Sequence, residues 1–197
     1  MIPKTIIHLL SGGIDSVVML YDLVAKGHRV HCVLFNYRQK HVQELEFAKL
    51  HCRRLGVTFT IIDITQLRGS TLTDGTGSMI VPMRNATMIS HACNLAVSAG
   101  ADTVTFAANK DDEAEFPDCR MAFVQAFNTL NAVQEILVEI CAPYHDKRKW
   151  EILDIGRQHA VDFNETWSCY NGGVKQCGTC PACQKRIAAL NHTANKL

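Results

Sequence analysis

Leu10-Ser11-Gly12-Gly13-Ile14-Asp15-Ser16 follows an apolar run, Thr5–Leu10, and opens a stretch of helical periodicity. A strand that ends in Ser-Gly-Gly-x-Asp-Ser and turns into a helix is a phosphate-binding device. Gly12 and Gly13 let the backbone approach an anion and adopt angles that a side chain would forbid. The unpaired N–H groups of the helix start then face that anion, assisted by the helix dipole. Ser11 and Ser16 add hydroxyl donors, and Asp15 supplies a carboxylate suited to holding Mg²⁺ against phosphates. The Walker A pattern is absent, since no Gly-x-x-x-x-Gly-Lys-Ser/Thr occurs and no lysine sits in the turn. A capped glycine turn is the bland alternative. The run of matching residues between strand and helix favours phosphate.

Outward from the loop, strand and helix patterns alternate. Strands are expected at Thr5–Leu10, Val30–Phe35, Thr58–Asp63, Thr103–Ala107 and Glu135–Ala142. Helices are expected at Asp15–Ala25, around Val42, Leu45, Ala48, Cys52 and Leu55, at Ala86–Ala99 with Asn85 as its cap, and at Arg120–Leu130. Thr65–Met79, with Gly69, Gly75 and Gly77, reads as a surface loop or lid, and Asn109–Pro117 as a charged loop. This alternation predicts an α/β fold, a doubly wound, mostly parallel sheet with helices on both faces. Ligands in such folds bind beyond the carboxyl ends of the strands, where Ser11–Ser16, Asn36–His41 and Ala107–Asp112 should gather. The alternation stops near residue 160, which divides the chain into an α/β domain that carries the phosphate loop, 1–160, and a cysteine-rich segment with a helix, 161–197.

A chain of 197 residues, 47% hydrophobic and 20% charged, can bury a full core. Its net charge of +1 argues against an extended nucleic-acid surface, so no direct nucleic-acid partner is expected. No apolar run reaches membrane-spanning length, and Met1-Ile2-Pro3-Lys4 leads into a strand rather than a signal peptide. A cytoplasmic protein without a membrane partner is the expectation. An odd number of cysteines, nine, argues for reduced thiols rather than a disulfide framework. Cys32, Cys52, Cys93 and Cys141 lie in apolar patterns and read as small core residues.

Cys169, Cys177, Cys180 and Cys183 crowd into fifteen residues among Gly172, Gly173 and Gly178. Four thiolates close a tetrahedral shell around Zn²⁺ and leave no open position, so such a metal would be structural. The Cys-x2-Cys spacing favours zinc over an iron–sulfur cluster or a reactive dithiol.

The phosphate loop resembles the PP-loop of ATP-dependent adenylating enzymes. Within that group, Cys169-Tyr170-Asn171-Gly172 with Cys177-Gly178-x-Cys180-Pro181-Ala182-Cys183 is similar to the zinc motif of the 7-cyano-7-deazaguanine synthase family. Val81-Pro82-Met83-Arg84-Asn85 resembles that family's Val-Pro-x-Arg-Asn segment, and Pro117-Asp118-Cys119-Arg120 matches its Pro-Asp-Cys-Arg. Tyr37-Arg38-Gln39-Lys40-His41 with Glu44-Leu45 is similar to its Tyr-Gly-Gln-x-His-x-x-Glu-Leu. Asn109 and Asp112 fall where the family has Asn and Asp. The blocks occur in the family's order from residue 10 to residue 186.

The resemblance implies ATP-driven conversion of 7-carboxy-7-deazaguanine and ammonia to 7-cyano-7-deazaguanine by a homodimer using catalytic Mg²⁺ and structural Zn²⁺. The carboxylate is adenylated and displaced by ammonia, and the resulting amide is activated by a second ATP. The nucleotide is then expected on Leu10, Ser11, Gly12, Gly13, Ile14, Asp15, Ser16, Asn36, Gln39 and His41. The catalytic set is expected to be Asp15, Ser16, Arg84, Asp112, Asp118, Arg120 and Lys147. Arg84 and Arg120 suit a carboxylate or phosphate, with structural ion pairs as the alternative. Lys147 stands between a phosphate contact and a solvated charge run, and His41 between an acid/base and a helix cap. Asp112 and Asp118 read equally as turn residues, and Cys119 as packing, since this chemistry needs no thiol nucleophile. Asn36, Arg38, Ala107 and Glu115 depart from the family's pattern, with Arg38 and Glu115 expected close to the pocket. A relative in phage DNA modification or defence would stop at the amide or pass the acid to another nucleophile. A tRNA sulfurtransferase and a non-catalytic nucleotide module are the remaining readings.

Overall fold

Strands β1 (Thr5–Leu9), β2 (Arg29–Asn36), β3 (Thr58–Asp63), β4 (Thr103–Thr105) and β5 (Glu139–Cys141) form one parallel sheet, in the order β3-β2-β1-β4-β5. The structure, a computed structural model, describes residues 2–75 and 77–194. Met1, Thr76 and Asn195–Leu197, which fall within the expected domains and loop, lie outside the described residues. The helices are α1 (Ile14–Ala25), α2 (Glu44–Leu55), α3 (Arg84–Ala99), α4 (Met121–Val133), α5 (Lys149–Gln158) and α6 (Pro181–Ala194).

Successive strand residues point to opposite faces, and both faces are covered, which is why Ile6–Ile7 of β1 and Cys32–Phe35 of β2 are consecutive buried apolar residues. Ile6, Cys32 and Leu34 pack under α1, α2, α5 and α6, whereas Ile7, Val33 and Phe35 pack under α3 and α4. Helix α1 is apolar almost all round because it is wedged between the sheet, α2 and α5, with Val17, Val18 and Leu20 fully buried. Connections leave β1 and β4 toward opposite faces, so a crevice opens between the carboxyl ends of these neighbouring strands. The doubly wound α/β fold expected from the alternation is the one observed.

Differences from the sequence reading have local causes. Helix α3 starts at Arg84, with Asn85 inside its first turn rather than capping it, because a turn closed by Arg84 N–H to Val81 O delivers the chain there. Strand β4 stops at Thr105, and residues 106–108 line the crevice instead. Strand β5 begins only at Glu139, since α4 runs on to Val133 and Glu135 takes a positive φ of 58° to end the turn. Helix α5 was not foreseen: the charge run Asp146–Lys149 hides its start, where Arg148 N–H donates to Glu151 Oε2 at 2.7 Å.

The segment from residue 161 lies against the α1 face. Ala189 of α6 joins that core, Trp167 N–H donates to Gly12 O at 2.9 Å, and Arg54 pairs with Glu165. Cys32, Cys52 and Cys93 are buried as expected, but Cys141 is half-buried because it ends an edge strand.

Candidate functional site

The phosphate loop holds its own shape. Ser11 Oγ and Ser16 Oγ stand 3.0 Å apart, Gly13 N–H donates to Ser11 Oγ at 3.2 Å, and Ser16 Oγ donates to Gly13 O at 3.1 Å. Beneath it, His8 Nε2 lies 2.9 Å from Ser16 O, and its Nδ1 lies 3.0 Å from Thr105 Oγ1. A carbonyl only accepts, so Nε2 carries the proton, and burial pulls this histidine down to about 4, which keeps it neutral. Gly12 has φ +90°, and a Cβ there would stand 2.1 Å from Glu44 O, so only glycine fits between the loop and α2. The first turn of α1 leaves the N–H groups of residues 14–16 without intrahelical partners, and these three residues line the crevice.

That crevice is a cavity of about 280 Å³ with two chemically distinct ends. At one end Lys149 Nζ lies 2.9 Å from Asp15 Oδ2, which also accepts from Asn109 Nδ2 at 3.0 Å. Asn109 Nδ2 reaches Asp112 Oδ2 at 2.8 Å, and Lys185 Nζ reaches Asp112 Oδ1 at 2.8 Å and Glu115 Oε2 at 3.1 Å. Burial raises the Asp15 carboxyl against the opposing charge of Lys149. In Asp112 burial is outweighed by Lys149 and Lys185, and the carboxyl is lowered. In Lys149 the charges of Asp15 and Asp112 overcome burial and raise it. Asp15 Oδ1 is buried without a hydrogen-bond partner among the described residues, and Asp112 stands beside it. A divalent cation fits this donor set.

At the other end Arg84 Nη1 donates to Tyr37 Oη at 3.3 Å, with the guanidinium 5.7 Å from the Tyr37 ring centroid. Tyr37 Oη stands 3.4 Å from His41 Nε2, which stands 3.6 Å from Glu44 Oε1. Burial and the Arg84 charge hold His41 down to about 4, and burial pushes the Tyr37 hydroxyl up to about 12. Arg84 stays charged: burial opposes the charge, but Tyr37, Asp118 and Glu44 raise it.

Cys169, Cys177, Cys180 and Cys183 bring their sulfurs within 4.8 Å of one another. Cys177 Sγ accepts from the Thr179 hydroxyl at 3.5 Å and from the N–H groups of Thr179 at 3.4 Å and Cys180 at 3.3 Å, and these bonds, the hydroxyl's first, pull its thiol down to about 5. Gly172, at φ +67°, lets this segment press on the β2–α2 connection, where a Cβ would stand 2.3 Å from Lys40 O. The cluster can hold a metal.

Of the residues singled out from sequence, Leu10, Ser11, Gly13, Ile14, Asp15, Ser16, His41, Arg84, Asp112 and Asp118 line the cavity. Gly12 lies behind the loop. Asn36 is turned to Asp63 at 2.7 Å, and Gln39 is a buried brace for Tyr37 and Glu44. Arg120 is exposed, its Nε donating to Glu113 O at 3.1 Å, so it shapes the 113–120 loop from outside. Lys147 is outside as well, with Nζ 3.6 Å from Asp146, and Lys149 takes the cavity position because α5 starts there. Arg38 is exposed outside the cavity, and Glu115 reaches it only through Lys185. Cys119 lines it with its thiol pushed up to about 12 by burial, which leaves it a packing group. Lys149, Lys185, Tyr37, Glu44 and Tyr170 were missed as site residues. Only Tyr37, Glu44 and Tyr170 carried a sequence signal, through their motifs.

The chain resembles U34-tRNA thiolase NcsA from Methanococcus maripaludis in fold, with a TM-score of 0.53 at 15% identity over 98% of this chain and 65% of that one. It is 38% identical to the 7-cyano-7-deazaguanine synthase of Pseudoalteromonas atlantica, over 97% of this chain and 95% of the relative. It is 39% identical to that of Caldicellulosiruptor bescii, over 95% of this chain and 93% of the relative. The model of the queuosine biosynthesis protein QueC matches residues 5–194. A Ser-Gly-Gly loop opening a helix, a paired acid–cation end and a four-cysteine cluster thus sit in a chain that belongs to the QueC family of 7-cyano-7-deazaguanine synthases.

Proposed function

We propose that the chain converts 7-carboxy-7-deazaguanine and ammonia to 7-cyano-7-deazaguanine through two successive ATP activations in this cavity. The observation that carries the reading is the pairing of ends in one 280 Å³ cavity: the phosphate loop with Asp15 and Lys149, and a half-buried, charged Arg84 lining the same cavity. Family membership supplies the substrate. Arg84 holds the carboxylate by charge-assisted hydrogen bonds and turns one oxygen toward the α-phosphate. That oxygen forms a bond to the α-phosphorus and pyrophosphate leaves. Ammonia attacks the acyl carbon, AMP departs, and loss of a proton yields the amide. The amide oxygen then attacks a second α-phosphate. Loss of both N–H protons with departure of AMP produces the nitrile.

The loop N–H groups, Lys149 and Lys185 stabilise charge on the phosphates, which is positioning and electrostatics more than covalent catalysis. Asp15 and Asp112 are the residues to hold Mg²⁺, which supplies charge neutralisation at the leaving pyrophosphate. Zinc is the metal whose tetrahedral demand four thiolates satisfy, so Cys169, Cys177, Cys180 and Cys183 are assigned to Zn²⁺. The small apolar cluster of Trp167, Cys169, Cys180 and Cys183 supports treating residues 161–197 as a zinc module on a 1–160 nucleotide domain. A cytoplasmic homodimer working on small molecules, without nucleic acid, completes the reading. Among the described residues no helix is long and apolar enough to cross a membrane.

The test is a time course by mass spectrometry with 7-carboxy-7-deazaguanine, ATP and ammonia. The amide should rise and then fall as the nitrile accumulates, with AMP as the nucleotide product at about two per nitrile, one from each activation. ADP as the product, or an amide that is never consumed, defeats the reading.

A further inference from the structure

Helix α2 begins against the phosphate loop, because Glu44 O is the atom that a Cβ on Gly12 would strike. Glu44 nonetheless lines the cavity while being only 9% exposed, with its carboxylate close enough to interact with the Arg84 charge and the Tyr37 hydroxyl. Its Oε1 is held by Gln39. Gln39 Oε1 accepts the Tyr37 N–H at 2.9 Å, which turns the Gln39 amide nitrogen toward Phe35 O at 3.2 Å and Glu44 Oε1 at 3.0 Å. One carboxylate oxygen is therefore fixed, and the second, with no hydrogen-bond partner among the described residues, is left for a ligand. A side chain this buried at the first position of a helix costs stability unless something is gained from it.

The reaction proposed above, on which this inference rests, asks for such a group. The substrate nitrogen must shed a proton when ammonia displaces AMP, and two more as the activated amide becomes a nitrile. Asp15 and Asp112 are committed to Lys149 and Lys185, and Asp118 stands by the Arg84 charge. Among the described residues Glu44 has no lysine or arginine in a direct pair; its one basic neighbour within 4 Å is His41, held neutral. The groups that face it are Tyr37, Gln39 and His41 from the β2–α2 connection and Arg84 from α3.

We propose that Glu44 is a catalytic residue, the proton acceptor for the substrate nitrogen in both stages. In the first stage, N–C forms, the C–O bond to AMP breaks, and the N–H proton passes to the free Glu44 oxygen. In the second, Glu44 takes one N–H proton from the O-adenylated amide, releases it to solvent, and then takes the remaining N–H proton as the C–O bond breaks and its electron pair leaves with AMP, closing the C≡N bond. Protons leave Glu44 to solvent between steps. Burial lifts this carboxyl to about 7, against the lowering effects of Gln39 and Arg84, which places its charge change where a base works best.

The experiment separates adenylation from proton removal. Acid-dependent exchange of pyrophosphate into ATP, without ammonia, involves no nitrogen proton. Glu44→Gln should keep that exchange within about threefold of the unmodified protein, while amide and nitrile formation fall by roughly 10²–10⁴-fold. Glu44→Asp should recover part of the loss. The rise of turnover through pH near 7 should be present in the unmodified protein and missing in Glu44→Gln. Loss of exchange along with turnover would assign Glu44 to structure or binding and overturn the proposal. So would nitrile formation within tenfold of the unmodified protein. If the unmodified protein shows no acid-dependent exchange, the adenylation reading itself fails and takes this one with it.

Discussion

Asp15 and Lys149 lie far apart in the chain, at the starts of α1 and α5, and meet with side chains only 15% and 17% exposed. A buried pair of this kind contributes little against an apolar pair, but breaking it leaves a buried charge. Lys149→Met should therefore destabilise the apoprotein by roughly 3 kcal/mol in a denaturant titration. Asp15→Asn combined with Lys149→Met should recover most of that stability and none of the turnover. If the double variant is no more stable than Lys149→Met, the pair is not the source of the cost. At this scale the loop was readable because its residues are contiguous. Lys149 was not, because one charge run contains three basic residues and the helix start alone selects among them.

Helix α5 was missing from the sequence reading, yet it carries Lys149 and packs on α1. The contact is made at Gly156, where an added Cβ would stand 2.7 Å from Val18 Cγ2 and 2.8 Å from Phe163 Cε1. Alanine is ordinarily better than glycine in a helix by up to ~1 kcal/mol. Here the sign should invert, with Gly156→Ala costing roughly 1–3 kcal/mol through overpacking. Because α5 carries Lys149, the same substitution should raise the KM for ATP. A stabilised variant with unchanged KM would show that the two helices have room to separate. Strand β3, Thr58–Asp63, was readable to the residue, whereas β4 and β5 came out shorter than read. Apolar runs persist past the last ladder bond, and only the neighbouring strands decide where pairing stops.

Across the whole molecule, the cysteine cluster is coupled to the phosphate loop through residues between them. Trp167 N–H holds Gly12 O, its ring stacks on Phe47 at 6.0 Å, and Arg186 Nη1 donates to Thr166 Oγ1 at 2.7 Å. Metal binding that occurs only in the folded state is part of folding stability. Substituting any one of the four cysteines by serine should therefore lower zinc content, solubility and ATP turnover together. Hydrogen exchange should show residues 161–192 opening before β1 and α1. Pure, active protein with well under one zinc per chain would remove the metal assignment.

Contiguous and ordered signals settled the chemistry at the level of sequence. The strand–loop–helix of Leu10–Ser16, the clustered cysteines and the order of the short motifs each lie within a few bonds of chain, so they are visible without folding. The alternation of strands and helices likewise determined the doubly wound α/β class, because covering both sheet faces requires apolar strands and crossover helices. Which lysine and which arginine face the cavity was decided only in three dimensions. Arg84 enters and Arg120 turns away; Lys149 and Lys185 enter and Lys147 does not. Glu44 gains its raised pKa from burial among Gln39, Tyr37 and His41, and its place from the contact of α2 with Gly12. Long-range packing sets burial, and burial sets the charge state of a carboxyl. No local pattern encodes it.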